Sequence, residues 1–438
     1  MPLLIVILGI LLLFVLIAKF KLNAFIAFII SCIFVGVFQG MELETIIKSI
    51  QTGMGNTLGF LVMILGFGAM LGKLVADSGA AQRITSRLVS SFGIKNIQWA
   101  VVVAGFIVGI PMFYSVGFVI LIPLVFTVAA STGLPLIYVG LPMLASLSVT
   151  HGFLPPHPAP TAIADMFSAD IGKTLLYGII IAIPAIIVAG PLFSRTIKNI
   201  NATPLKEFYN PIVLKDEEMP SMGISVFTAL LPVILIILST LLTLFIAKDS
   251  IFSDAVIFLG NPVVAMLISV MVAIYTLGIL RGKKMTVLMN SISSSVSSIT
   301  MVLLIIAGAG ALKEILIDSG VSDYIGELLK GSHISPLFLA WLIATIIRVC
   351  VGSATVAGLT AAGIVLPLVS SSEVSPELMV LAIGSGSLML SHVNDGGFWM
   401  FKEYFNLSVK ETLSTWTVME TTIGIMGLIG VLILNIFI

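Results

Sequence analysis

Apolar runs separated by short polar ones pattern this chain from its start. An α-helix needs roughly 20 apolar residues to cross a hydrocarbon core about 30 Å thick. Runs of that order occupy residues 2–18, 22–37, 57–76, 174–193, 224–247, 262–280, 287–310 and 412–438. No basic residue precedes the first run and no small-residue cleavage site follows it, which predicts a retained helix rather than a signal peptide. Four further regions are apolar but punctuated. Residues 97–130 are broken at Gly109-Ile110-Pro111 and again at Pro123, and residues 134–166 by a segment from His151 to Thr161 that holds four prolines. Residues 336–369 are broken at Gly352-Ser353-Ala354-Thr355, and residues 376–404 at His392-Val393-Asn394-Asp395-Gly396-Gly397. Helix breakers at bilayer depth free backbone groups that only protein or a wet cavity can satisfy.

The pattern repeats. Asp77-Ser78-Gly79 recurs 241 positions later as Asp318-Ser319-Gly320, Pro135 recurs as Pro376, and Thr150-His151 as Ser391-His392. Gly66-Phe67-Gly68-Ala69 precedes the first landmark much as Gly308-Ala309-Gly310-Ala311 precedes the second, and Phe167 to Leu175 matches Phe405 to Leu413. Five landmarks in one order at near-constant spacing predict a duplication. Each copy holds three spans and one hairpin, and two spans separate the copies, so the second copy enters the membrane from the opposite face. Inverted repeats with paired interrupted segments point to a secondary transporter whose site lies where the breaks converge. The expected fold is an all-α polytopic membrane protein with two re-entrant hairpins and two broken transmembrane helices. Its parts are N-terminal scaffold helices (1–56), a first repeat (57–193), a cytoplasmic connector (194–222), central scaffold helices (223–284) and an inverted second repeat (285–438).

Charge sets polarity and removes other classes. Charged residues make up 10% of the 438, against 58% hydrophobic, and the net charge is +0. With a mean hydropathy of +1.19 this composition excludes a soluble enzyme, a disulfide scaffold and a disordered chain. No basic patch suggests nucleic acid. Cys32 and Cys350 both lie in apolar runs and read as small buried hydrophobes. The basic groups Lys19/Lys21, Arg83/Arg87/Lys95, Arg195/Lys198/Lys206/Lys215, Arg281/Lys283/Lys284 and Lys402/Lys410 fall on one side if both hairpins turn back within the membrane. That side is expected to be cytoplasmic, with both termini opposite and ten spans in all. The run Asp216-Glu217-Glu218 reads as a solvated face, and Trp99, Trp341 and Trp416 as interfacial belt residues.

The breaks carry the chemistry. A broken helix offers free N–H groups and a favourable dipole to an anion at the start of its second half. Gly352 to Thr355 forms one tip, with hydroxyls on Ser353 and Thr355; Pro111 to Ser115 forms the other, with Tyr114 and Ser115. Small tips also permit close helix packing, the competing reading. His151, His157 and Thr161 lie in the proline-rich break, and His392 and Asn394 in its counterpart. His151, His157 and His392 either are satisfied core residues or hold a proton, since histidine titrates near neutrality. Asp395 is a further proton candidate, and Arg348 either neutralises a substrate carboxylate or pairs with Asp395. His333, in a polar loop, carries no such expectation. Asp77 and Asp318 fit structural positions near helix ends. The residues supply neither a metal-ligand spacing nor a nucleophile–base pair, so no metal, no cofactor beyond coupling protons, and no enzyme activity is expected.

These segments resemble the gluconate permease family of proton symporters over essentially the full length. The resemblance rests on Leu65-Gly66-Phe67-Gly68-Ala69-Met70-Leu71-Gly72-Lys73, Leu147 through Thr161, Gly352 through Ala357, and Ser391 through Asp395 on to Leu407. It implies import of gluconate or a related sugar acid with protons, in a bacterial inner membrane, by a homodimer working through an elevator motion. It also carries over the hairpin tips and the His151–Thr161 and His392–Asp395 segments as binding elements. Within the same class D-serine or another small organic anion is the alternative substrate. Three positions depart from the family pattern. Ser115 stands where an acid is common after the aromatic pair, Ala159 where glycine is common, and Gly396 where proline is common. Ser115 implies either weak coupling or a proton carried by a histidine or by Asp395.

Overall fold

In the computed structural model, residues 2–203, 214–243, 245–246, 251–321, 335–371, 374–393 and 395–438 are described; they are helical with short connections and contain no strand. The helices are α1 (Pro2–Phe14), α2 (Ala24–Phe38), α3 (Leu43–Asp77), α4 (Ala80–Phe92), α5 (Ile97–Gly109), α6 (Tyr114–Thr132), α7 (Leu136–Phe153), α8 (Pro158–Met166) and α9 (Ile171–Thr196). They continue as α10 (Met222–Leu242), α11 (Ile251–Gly260), α12 (Pro262–Arg281), α13 (Met285–Asp318), α14 (Pro336–Val351), α15 (Ala354–Ser371), α16 (Pro376–Gly386), α17 (Gly396–Tyr404) and α18 (Val409–Leu434). Among the described residues six helices are long and apolar enough to cross a bilayer, or eight if two bent pairs each count once. His333, Asn394, Lys206, Lys248 and Lys330 lie outside the described residues, as do the side chains of Ser115 and Cys350.

A helix stops at the main break of each punctuated region, but the expected second break at Pro123 is absent, because α6 runs unbroken from Tyr114 to Thr132. α5 ends at Gly109 and α6 starts at Tyr114; α7 ends at Phe153 and α8 starts at Pro158. α14 ends at Val351 and α15 starts at Ala354; α16 ends at Gly386 and α17 starts at Gly396. Proline opens α8, α14 and α16, where its missing N–H and preset φ cost nothing.

α3 and α13 form the longest seam. At 35 and 34 residues each has a contour length of about 50 Å, and α3 bends by 45° between Gly59 and Val62. Ser49, near the start of α3, donates to Asp318 at the end of α13, and Ser291, near the start of α13, donates to Asp77 at the end of α3. The two helices therefore run antiparallel. Their backbones nearly touch: a Cβ on Gly53 would sit 2.3 Å from the Gly310 carbonyl oxygen, and one on Gly310 2.6 Å from that of Gly53. Association in lipid relies on such close van der Waals approach.

α7 occupies the centre. It is apolar all round and buried on nearly every side, as a helix enclosed by other helices must be. α5, α6 and α9 pack around it, and its last turn carries His151.

One polar face gathers charges from three parts of the chain. α4 is amphipathic, with Ala80, Ala81, Ile84 and Thr85 buried and Ser86, Arg87 and Ser90 outward. Arg83, although on the buried side, reaches the connector: its Nε donates to the Pro220 carbonyl (2.8 Å) and its Nη1 meets the Asp216 carboxylate (3.0 Å). Arg87 adds a second contact at 3.1 Å, and Arg281 donates to the Glu217 carbonyl at 2.6 Å. The hydrogen bond from Arg83, reinforced by both guanidinium charges, holds the Asp216 carboxyl below the ordinary carboxylate range. The acidic run is thus not merely solvated; Asp216 pins the connector to α4. Two of the expected belt tryptophans are also displaced. Trp341 and Trp416 are 9% and 2% exposed, their indole N–H groups bonded to the Gly424 carbonyl (3.0 Å) and the Ser391 hydroxyl (2.7 Å). A buried indole needs such an acceptor, and helix packing here supplies it. Trp99, at 36% exposed, remains at the surface.

Candidate substrate site

A cavity of about 380 Å³ opens where the breaks meet, within the size range of small-molecule sites. One wall is the break between α14 and α15. Gly352 closes α14 in the left-handed conformation (φ 80°), which a glycine adopts without strain, and its N–H caps the Arg348 carbonyl. Ser353 accepts the Val356 N–H (3.3 Å), which leaves its hydroxyl hydrogen free for a ligand. Ala354 and Thr355 open α15 on the cavity wall, and first-turn N–H groups have no partner within a helix.

Arg348 enters from the last turn of α14. It is 2% exposed and spends one nitrogen, Nη2, on the Asp395 carboxylate. Its Nε and Nη1 have no protein partner. This arginine therefore pairs with Asp395 and still presents two donors to the cavity. Asp395 is fully engaged. Oδ2 receives Arg348 and the Ser391 hydroxyl, while Oδ1 caps α17 by accepting the Gly397 N–H at 2.9 Å. The Trp416 indole N–H in turn donates to Ser391, so an indole, a hydroxyl, a carboxylate and a guanidinium form one chain of hydrogen bonds.

The facing wall comes from α6, α7 and α18. Tyr114 is the first residue of α6; its ring meets Trp416 edge-on at 5.8 Å, and its hydroxyl has no partner. Ser148 and His151 project from one side of α7, and His151 Nδ1 is likewise unpartnered. Trp416 and Glu420, four residues apart on α18, share a helix face. Glu420 is 2% exposed and its Oε1 lacks a donor. Unsatisfied buried polar atoms are costly and uncommon. Here those of Tyr114, His151, Arg348 and Glu420 all border one cavity, which marks it as built for a polar ligand.

The structure thus brings Tyr114, His151, Ser353, Thr355, Asp395 and Arg348 together at this cavity. It places three other anticipated residues elsewhere. His157 Nε2 lies 2.8 Å from the Gly109 carbonyl, where it satisfies the broken end of α5. Thr161 is fully buried in α8 and His392 is half-buried, and neither borders the cavity. Sequence reasoning missed Ser148, Trp416 and above all Glu420. The signal for Glu420 was present: a lone acid inside the apolar run 412–438. A second cavity of about 390 Å³ lies beyond the first tip, beside Lys73 and Asp77, but that ion pair is more than a third exposed and needs no further partner.

The model of the GntP permease family matches residues 1–437. The chain belongs to the GntP family of permeases. It is a multi-pass membrane permease and not an enzyme. The permease is 53% identical to the high-affinity gluconate transporter of Escherichia coli K12 over 438 residues, all of both chains. It is 52% identical to the L-idonate transporter of the Gnt-II system of the same organism over 99% of each chain, and 49% identical to the gluconate permease of Bacillus subtilis 168 over 100% of each. Among solved structures its fold is similar to the YdaH transporter of Alcanivorax borkumensis, with a TM-score of 0.67 over 94% of this chain and 97% of that one at 17% identity. It is also similar to MtrF of Neisseria gonorrhoeae, with a TM-score of 0.62 over 94% and 93% at 16% identity.

Proposed function

We propose that this permease imports gluconate or a closely related sugar acid across a bacterial inner membrane by proton symport. The observation that carries the reading is Arg348, which is buried, half-committed to Asp395 and left with two free donors on the cavity. A planar guanidinium with two free N–H groups suits a carboxylate. The hydroxyls of Ser353, Thr355, Tyr114 and Ser148 around it suit a row of substrate hydroxyls. Relatives at 49–53% identity bear the names of gluconate and L-idonate carriers, six-carbon acids with that pattern.

The antiparallel clasp of α3 and α13, with Asp77 and Asp318 at opposite ends, supports inverted halves. The packing of α14 against α15 supports a re-entrant hairpin at that break. In this reading the hairpins and broken helices carry the ligand as a mobile unit against the scaffold helices of a homodimer, an elevator motion.

The test is uptake of labelled gluconate into proteoliposomes under an imposed pH gradient, with unlabelled gluconate, L-idonate and D-serine as competitors. Accumulation driven by an acidic exterior, and blocked by the sugar acids before D-serine, is expected. Uptake indifferent to the gradient, or preferential competition by D-serine, overturns the proposal.

A further inference from the structure

Four charges decide the electrostatics of this cavity once an acid binds: Arg348, Asp395, Glu420 and the substrate carboxylate. Three ionisable side chains on the wall stand in different positions to hold a proton. Asp395 has both oxygens occupied and anchors Arg348, so protonating it would strip the guanidinium of its partner. His151 has a free Nδ1 but faces Arg348 across the same cavity, which opposes a second cation. Glu420 differs from both. It is 2% exposed, and one carboxyl oxygen has no donor. Among the described residues no Lys, Arg or His lies within ion-pairing distance of it.

Building on the symport reading above, we propose that Glu420 takes up the proton that travels with the substrate. The groups that face it are Tyr114 from α6, His151 from α7, Arg348 from α14 and Asp395 at the start of α17; α9 and α16 add no titratable side chain to the cavity. Only Arg348 is cationic, and Asp395 already offsets it. A second carboxylate arriving in a desolvated site beside an ionised Glu420 is repelled, because Coulomb energies rise steeply as the dielectric falls. Protonating Glu420 removes that repulsion and gives its carboxyl an O–H to donate to the ligand or to Ser148. With His151 neutral, the empty site with Glu420 ionised and the loaded site with Glu420 protonated carry the same net charge of minus one. Both forms that must cross the membrane thus meet the same electrostatic barrier, whereas the anion alone or the proton alone would not. The repeat supports a single role. The equivalent position in the first half, by the register that aligns Phe167 with Phe405 and Leu175 with Leu413, is Ala182, so the carboxyl is a property of one half only.

The experiment compares wild type with E420Q in proteoliposomes, using labelled gluconate. Two modes are measured: counterflow against internal unlabelled gluconate, and accumulation driven by an imposed pH gradient. Wild type is expected to show both, with an apparent Kd that rises by up to about tenfold per pH unit once the site loses its proton. E420Q is expected to retain counterflow, to lose gradient-driven accumulation, and to hold its Kd within about twofold from pH 6 to pH 8. Proton-driven accumulation by E420Q with the wild-type pH dependence overturns the assignment. If E420Q also fails in counterflow, E420D decides, because it keeps a titratable carboxyl. Accumulation retained in E420D supports the proposal, and counterflow without pH dependence in E420D overturns it. If wild type itself moves gluconate without a proton requirement, the symport reading fails, an outcome distinct from failure of Glu420 alone.

Discussion

Arg348 donates to Asp395 through one terminal nitrogen while its other two nitrogens, buried and unpartnered, border the cavity. Asp395 therefore orients the guanidinium and leaves its free edge to a ligand. Arg348→Lys keeps the charge but replaces the planar fork by a point donor. It is expected to weaken gluconate binding by about 1.5–3 kcal/mol, roughly ten- to 150-fold in Kd, while the fold persists. Arg348→Ala leaves the partly buried Asp395 carboxylate without its ion partner and is expected to lower stability, partly recovered by adding Asp395→Asn. Calorimetric binding and thermal unfolding in detergent separate the two effects. Unchanged affinity in Arg348→Lys would mean that the arginine only braces Asp395.

Thr355 opens α15 on the same wall, beyond the left-handed Gly352. Thr355→Val preserves shape and removes the hydroxyl. A loss of about 1–3 kcal/mol in gluconate affinity is expected, with no change in unfolding temperature. If affinity and unfolding are both unaltered, this tip serves packing alone.

Much of this arrangement was legible in the residues, for a physical reason. Glycine and proline inside apolar runs announce backbone that cannot remain helical, so all four breaks, at Gly109, His151 to Thr161, Gly352 and His392 to Gly397, could be placed in advance. Arg348 and Asp395 were visible as lone charges beside breakers. Glu420 stands in an unbroken helix among Thr and Met, with no breaker to mark it, and only packing shows that its face meets the cavity. His157 and His151 lie six residues apart across a turn, and spacing alone could not assign one to the ligand cavity and the other to the Gly109 carbonyl. Trp416 begins an apolar run, a place that reads as interfacial. Its burial depends on Ser391, a partner 25 residues earlier.

The reciprocal bonds Ser49 to Asp318 and Ser291 to Asp77 place the starts of α3 and α13 at opposite ends of one seam. Leu43 and Met285, 71% and 49% exposed, mark those starts. Single cysteines at the two positions, in a background lacking Cys32 and Cys350, should react with an impermeant maleimide from opposite faces of the membrane. Labelling of both from one face would remove the inverted-repeat reading and the alternating-access scheme built on it.

Gly310 tests the packing of that seam. A side chain there would meet Thr57 Oγ1 at 2.2 Å and the Gly53 carbonyl at 2.6 Å, both on α3. Gly310→Val is expected to destabilise the protein by about 1–3 kcal/mol or more through overpacking. Gly55, on the same helix as Gly53, has open space where a Cβ would go. Gly55→Ala should be neutral or stabilising by up to about 1 kcal/mol, since alanine is the better helix former. Thermal unfolding of the pair distinguishes a specific seam from a general intolerance of glycine substitution.

The connector gives a pH dependence whose sign follows from Asp216. Arg83 and Arg87 hold its carboxyl below its unfolded pKa of about 3.9. A depressed carboxyl contributes stability that is present above the unfolded pKa and is lost as pH falls through the folded one. The contact should therefore be intact at neutral pH and released only in acid, below the unfolded pKa. Asp216→Asn should mimic that release at pH 7, where trypsin is expected to cut at Lys215 faster than in wild type. The difference in unfolding temperature between wild type and this variant should be present from pH 5 to pH 7 and vanish in strong acid. A difference that persists there would show that the backbone contacts of Arg83, to the carbonyls of Asp216 and Pro220, hold the connector without the carboxylate.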